Sequence, residues 1–166
     1  MCGKVCSGKS TYAAHLSTCI NAVILSSDEL MLTLFDEQLG DKHEVILSKC
    51  TSYLFSMAER IASAGCDVIL DFGFWTRKAR KSIIKRFAKK GFEVELHYLR
   101  ISDVVWHERI EKRNSSANLQ KSLCYYIDEG IRVKCGQIFQ EPLEEECTII
   151  IDYTTTVGNN EPNNQN

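Results

Sequence analysis

Gly3-Lys4-Val5-Cys6-Ser7-Gly8-Lys9-Ser10 sets a lysine and a hydroxyl directly behind the second of two glycines. Glycines let a backbone curl until its N–H groups converge, and a helix starting just behind them adds the positive end of its dipole, so such a segment is built to hold phosphate oxygens. The spacing is that of the P-loop, G-x-x-x-x-G-K-[ST], in which the lysine neutralises charge on the outer phosphates and the hydroxyl ligates Mg²⁺. On this reading Gly3, Lys4, Val5, Cys6, Ser7, Gly8, Lys9, Ser10 and Thr11 bind ATP, Lys9 is also catalytic, and Ser10 is a ligand of Mg²⁺.

Two carboxylates stand at expected strand ends. Asp28 follows the apolar run from Ala22 to Leu25 and the pair Ser26-Ser27. Open α/β sheets place their ligands there, so Asp28 can take a proton from an attacking hydroxyl; its alternative role is to cap the helix that Glu29-Leu30-Met31 opens. Asp71 closes Val68-Ile69-Leu70 and can orient Mg²⁺ through a water, again with a helix cap as the alternative. Asp71-Phe72-Gly73 matches the D-F-G triplet of protein kinases, but neither an H-R-D loop nor a G-x-G-x-x-G accompanies it, and we read the match as coincidence.

Positive charge is concentrated in two places. Arg77, Lys78, Arg80, Lys81, Lys85, Arg86, Lys89 and Lys90 form a run without an acid, which is either a face for a phosphorylated or nucleic-acid substrate or a solvated helix face. Arg109 and Arg113 lie four apart on one helix face, just ahead of a polar stretch, where a lid could bring them to a transferring phosphoryl group; surface pairing with Glu108 or Glu111 is the alternative. The histidines make no H-E-x-x-H and the eight cysteines no C-x-x-C, so neither points to zinc. Cys50, Cys66 and Cys147 sit in apolar patterns and are expected to be reduced, buried small hydrophobes.

The elements that would carry these groups alternate between strand and helix. Helices are expected over Thr11 to Cys19, over His43 to Ala64 with a stop at Gly65, over Thr76 to Lys90 with a stop at Gly91, from Ser102 to about Arg113, and over Lys121 to Phe139. Strands are expected at Ala22 to Leu25, Asp67 to Leu70, Phe92 to Tyr98 and Thr148 to Ile151, with a mobile connection over Asn114 to Gln120. This order implies a mainly parallel, doubly wound α/β sheet with helices on both faces. Residues 1–152 form one expected domain and 153–166 a disordered polar tail. With 166 residues, 44% apolar, a net charge of −2 and no apolar run long enough to span a bilayer, the chain is expected to be a cytoplasmic domain with a real core, no membrane contact and no obligate protein partner. A surface wholly devoted to nucleic acid is excluded by the same balance of charge.

Taken together, these residues resemble the small P-loop kinase-like ATPases grouped near AAA-type ATP-binding proteins, relatives of polynucleotide kinase, chloramphenicol phosphotransferase and zeta toxin. The resemblance runs from Gly3 to about Ile151 and is carried by GKVCSGKS, Ser26-Ser27-Asp28-Glu29, VILDFGFWTRKAR from Val68 to Arg80, RIEKRN from Arg109 to Asn114, and FQEPLEEE from Phe139 to Glu146. It implies the sheet order 2-3-1-4-5, Lys9 and Ser10 on phosphate and Mg²⁺, Asp28 as general base, and Arg109 with Arg113 as lid arginines. Only Met1 and Cys2 precede Gly3, so the first strand is expected to be truncated and the chain to start at an internal methionine of a longer reading frame. The function implied is transfer of the ATP γ-phosphoryl group to a hydroxyl of a small molecule or a nucleic-acid end. The alternatives are an ATP-binding regulator or slow ATPase without an acceptor, and an inactive truncated product.

Overall fold

The computed structural model describes residues 1–35, 39–115 and 126–153. Four strands run parallel in two hydrogen-bonded pairs. β1 (Val23–Ser26) lies beside β2 (Val68–Asp71), with Val23 opposite Val68 and Ser26 opposite Asp71. β3 (His97–Ile101) lies beside β4 (Ile149–Tyr153), with His97 opposite Ile149 and Ile101 opposite Tyr153. Met1 and Cys2 sit between the pairs. The Met1 amine donates to the Leu70 carbonyl at 2.9 Å, Cys2 N donates to the His97 carbonyl at 2.8 Å, and the Cys2 carbonyl accepts from Leu99 N at 2.9 Å. Across the molecule the segments therefore lie in the order β1, β2, Met1–Cys2, β3, β4, the middle one being only an isolated bridge from Cys2 to Tyr98 rather than a strand.

Six helices flank the strands among the described residues: α1 (Lys9–Ile20), α2 (Ser27–Leu34), α3 (His43–Ser63), α4 (Arg77–Ala88), α5 (Asp103–Asn114) and α6 (Glu129–Ile138). The alternation of side chains along a strand divides them between two faces. Ile24, Ile69 and Leu99 pack with Ala13, Tyr12 and Leu16 of α1, whereas Leu25, Val68 and Leu70 pack with Ala58 of α3 and with Ile83 and Phe87 of α4. Both faces are covered, as a doubly wound sheet requires. A further cluster joins Val105, Trp106 and Ile110 of α5 to Cys135 of α6 and Ile127.

Four expectations change in detail. Phe92–Leu96 alternates in the manner of a strand but lies outside the ladder: its partners in β4 begin opposite His97, and Phe92 and Val94 instead pack against the α3–α4 cluster. The last helix starts at Glu129, because Asp128 Oδ1 caps it through Ile131 N and Ile127 is tied to Asn114 by bonds of 2.7 and 3.0 Å, so residues 126–128 of the expected helix are not helical; its first part, 121–125, lies outside the described residues. Among the described residues the buried cysteines are Cys2 and Cys135, while Cys50 and Cys147 are half-buried and Cys66 is exposed. Tyr153, expected to open the tail, ends β4. The rest of the expected tail and most of the Asn114–Gln120 connection lie outside the described residues. No described helix is long and apolar enough to cross a membrane.

Candidate active site

The loop from Gly3 to Gly8 joins the Met1–Cys2 bridge to α1. Gly8 is the N-cap of α1 at φ 95°, a left-handed conformation that leaves no side chain over the first turn, so the free N–H groups of that turn open onto the loop. A Cβ on Gly3 would meet Ser7 Oγ at 2.6 Å and the Leu99 carbonyl at 2.9 Å, so only glycine fits where the loop leaves the sheet. Lys9 Nζ donates to the carbonyls of Lys4 at 2.8 Å and Gly3 at 3.2 Å, and burial holds its pKa below the usual lysine range, against the upward pull of Asp71 and Asp28. Ser10 Oγ donates to Asp71 Oδ2 at 2.6 Å, which joins the start of α1 to the end of β2. Thr11 lines the same opening one residue on.

The parallel register sets Ser26 beside Asp71, at the carboxyl ends of β1 and β2. Both carboxylates considered as helix caps are relieved of that task. Ser26 caps α2 by accepting from Glu29 N, and Thr76 caps α4 by accepting from Ala79 N. Asp28 stands in the first turn of α2 and opens, with Lys9, Ser10 and Asp71, onto one cavity of about 1710 Å³. The surrounding walls raise its pKa above the ordinary aspartate value, with Asp71 adding to the rise and Lys9, Arg113 and His43 opposing it.

α5 braces the loop from the other side. Asp103, Trp106, Arg109 and Arg113 recur at helical spacing, so they share a face. Lys4 Nζ pairs with Asp103 at 2.6 Å and lies 4.6 Å from the Trp106 ring centroid. Trp106 Nε1 donates to the Val5 carbonyl at 2.8 Å, Arg109 Nη1 donates to the Ser7 carbonyl at 2.8 Å, and Arg113 Nη1 reaches Cys6 Sγ at 3.6 Å. Arg109 also lies over Tyr153, 4.7 Å from the ring centroid. Both arginines line the cavity, but Arg109 is engaged with the loop backbone, while Arg113 Nε is buried without a hydrogen-bond partner among the described residues. Trp106 was not singled out from the sequence, because an indole in a helix reads as core until its N–H is seen to end on a loop carbonyl.

The basic run of α4 is divided by the structure. Arg80 is fully buried: Nε pairs with Glu146 at 3.1 Å and Nη1 bonds the carbonyls of Gln140 at 2.8 Å and Phe74 at 3.3 Å. Arg77 meets Glu146 at 3.2 Å, and Arg86 and Lys90 meet Glu59 of α3 at 2.6 and 3.1 Å. Arg80 thus fastens the loop after β2 to the segment Phe139–Glu146, which explains why those two stretches stand out together. That loop carries Phe72, Phe74 and Trp75 into the cavity wall, beside Phe55 of α3. The sequence reading passed over Phe72 as part of a coincidental triplet; three aromatic residues within four positions of Asp71 were the available signal.

A phosphate-shaped loop opening α1, a Ser10–Asp71 pair joining the start of that helix to the end of β2, and parallel strands covered by helices on both faces define a P-loop protein of the kinase-like class. The AAA domain family matches residues 1–123, and the chain belongs to that family. Among curated proteins none matches the sequence. Among solved structures, one described as a candidate kinase from Chloroflexus aurantiacus superposes with a TM-score of 0.70 at 18% identity, covering 92% of this chain and 85% of its own. A sugar kinase from Janibacter sp. superposes with a TM-score of 0.56 at 14% identity, covering 90% of this chain and 81% of its own. At such identities the likeness is one of fold.

Proposed function

We propose that the chain transfers the γ-phosphoryl group of ATP to a hydroxyl of a small molecule or a nucleic-acid end. The observation that carries this reading is Asp28: it is freed from capping by Ser26, has a raised pKa, and opens onto the same cavity as Lys9, Ser10 and Asp71. A raised pKa makes a carboxylate a better proton acceptor near neutral pH. Asp28 takes the proton of the acceptor hydroxyl, the oxygen forms its bond to the γ-phosphorus, and the bond to the β–γ bridging oxygen breaks to leave ADP. Lys9 exchanges its loop carbonyls for the β- and γ-oxygens, and Arg113, with a donor unspent, adds positive charge to the group in flight. Arg109 keeps the loop in register through Ser7.

A hydroxyl and a carboxylate 2.6 Å apart are hard oxygen donors suited to Mg²⁺, which proteins hold through one or two such groups together with the phosphates of the substrate. Ser10 would ligate it directly and Asp71 through water. Bound there, Mg²⁺ supplies neutralisation of charge on the β- and γ-oxygens.

Two measurements test the reading. Mg-ATP at about 100 times its dissociation constant adds about 2.7 kcal/mol, about 5–11 °C in melting temperature for a domain of this size, and Lys9→Ala is expected to remove the shift. Asp28→Asn is expected to keep the shift while slowing transfer to an accepted hydroxyl by about 100- to 10,000-fold. Unchanged transfer in Asp28→Asn would remove the general base, and ATP hydrolysis indifferent to every added hydroxyl compound would favour a slow ATPase or regulator instead.

A further inference from the structure

Phe55, Phe72 and Phe74 form a continuous ring wall in the cavity. Their centroids are 5.1 Å apart for Phe55–Phe72, 5.7 Å for Phe72–Phe74 and 6.4 Å for Phe55–Phe74, with interplanar angles between 16° and 37°. Phe55 and Phe74 rest on the Ala58–Ile83–Phe87 cluster, but Phe72 belongs to no core cluster among the described residues and packs on the other two rings.

The backbone is strained to hold this wall. Phe74 has φ 41°, which a bulky L-residue adopts only when its surroundings compel it. Gly73 beside it has φ 80°, and a Cβ there would meet Trp75 Nε1 at 2.7 Å. The compulsion comes from behind: Arg80 bonds the Phe74 carbonyl, and the Trp75 carbonyl accepts from Gln140 N at 2.8 Å. Trp75 lines the cavity, while its Nε1 is buried against Gly73 without a hydrogen-bond partner among the described residues.

The wall stands on the acceptor's side. Its rings come from α3 and the loop after β2, and Asp28 comes from α2 after β1, so ring wall and proposed base belong to the same half of the sheet. Arg109, Arg113 and Tyr153, which flank the phosphate loop, come from the β3–β4 half. Phe72 directly follows Asp71, so the wall begins one residue, about 3.8 Å along the backbone, from the Ser10–Asp71 pair. Phenyl faces cannot satisfy the hydroxyls of a polyol, but they stack a flat ring well.

We propose, on the basis of the kinase reading above, that the phosphoryl acceptor is a hydroxyl compound bearing a planar aromatic ring, held on Phe55, Phe72 and Phe74. Isothermal titration of the full chain saturated with Mg-ADP tests this with 2-phenylethanol against its non-planar counterpart 2-cyclohexylethanol, and with adenosine against glucose and glycerol. The planar compounds are expected to bind at least about fivefold more tightly than their counterparts, and Phe72→Leu, which keeps apolar bulk but removes the ring, is expected to erase the margin between 2-phenylethanol and 2-cyclohexylethanol. Whichever of 2-phenylethanol and adenosine binds more tightly distinguishes an aryl alcohol from a nucleoside as the source of the ring. Equal binding of the planar and non-planar alcohols, or preference for glucose or glycerol, would overturn the proposal. Ring binding seen without nucleotide but blocked by Mg-ADP would also overturn it, since the wall would then hold the base of the donor. A Mg-ATP thermal shift without ring preference sinks this inference alone, whereas ring binding without a Mg-ATP shift or transfer sinks the kinase reading.

Discussion

On the phosphate side of the cavity the polar groups are bonded to one another: Lys9 to the carbonyls of Gly3 and Lys4, Ser10 to Asp71, Arg109 to Ser7, Trp106 to Val5. Away from the loop the wall is made of the Phe55, Phe72 and Phe74 rings and Trp75, and its polar fastenings lie behind it, on Arg80 and Gln140. The difference sets what a ligand must do in each half. A triphosphate has to exchange existing hydrogen bonds, so its net gain is the difference between two sets of bonds and depends on the charge it brings. A flat apolar ring displaces nothing polar and gains by burial on a surface already held in shape.

If the rear of the ring wall is what fixes it, the largest loss should come from Arg80. Arg80→Met removes a fully buried guanidinium, leaves Glu146 with only the exposed Arg77 as its cation and takes a donor from the carbonyls of Gln140 and Phe74, for which a cost of about 3–5 kcal/mol in urea denaturation is expected. Arg77→Met, at the exposed partner of the same carboxylate, should cost less than about 1 kcal/mol. Equal costs for the two variants would mean that Arg80 is no more than a surface ion pair and that the strain at Phe74 is held by something else.

The phosphate side offers a smaller and more local break. Trp106→Phe keeps an aromatic ring in the α5–α6 cluster but leaves the Val5 carbonyl without its donor, a loss of about 1–3 kcal/mol. Because Val5 lies inside the loop, the Mg-ATP thermal shift should shrink as well. A variant that is destabilised yet keeps the full shift would make Trp106 a core residue only, and the brace on the loop would rest with Asp103 and Arg109.

This asymmetry also explains what could be read without coordinates. The phosphate half is encoded within eight consecutive residues, so local chemistry alone identifies it; the helix–strand alternation and the stops at Gly65 and Gly91 are equally local. The ring-wall half is assembled from Phe55, from Phe72 to Trp75, and from a brace between Arg80 and Glu146 that spans 66 positions. No period or motif connects those residues, and Arg80 in a run of lysines and arginines carries the same local signature as its solvated neighbours. The extent of β3 was misread for a related reason: the alternation of Phe92 to Tyr98 records which side chains are buried, whereas strand pairing depends on where β4 begins.

The smallest expected effect lies where the two halves meet. Desolvation by the cavity walls raises the pKa of Asp28 above the 3.8 of an ordinary aspartate although the residue stays exposed, so the folded chain holds this proton more tightly than the unfolded one. Between the unfolded and folded pKa values the folded state binds more protons, and stability must fall as pH rises through that window. Above the window the ionised carboxylate is a standing cost to the fold, which Asp28→Asn removes. Since the side chain reaches solvent through the cavity, the gain should be about 0.5 kcal/mol, the size of an ordinary surface substitution, and it should be smaller at about pH 5 than at about pH 8. Urea denaturation of both proteins at the two pH values measures it. A destabilised Asp28→Asn at the higher pH would give the carboxylate a structural bond, whereas a stabilised variant that no longer transfers phosphate would show that the charge is kept at the fold's expense, as a base poised for an acceptor must be.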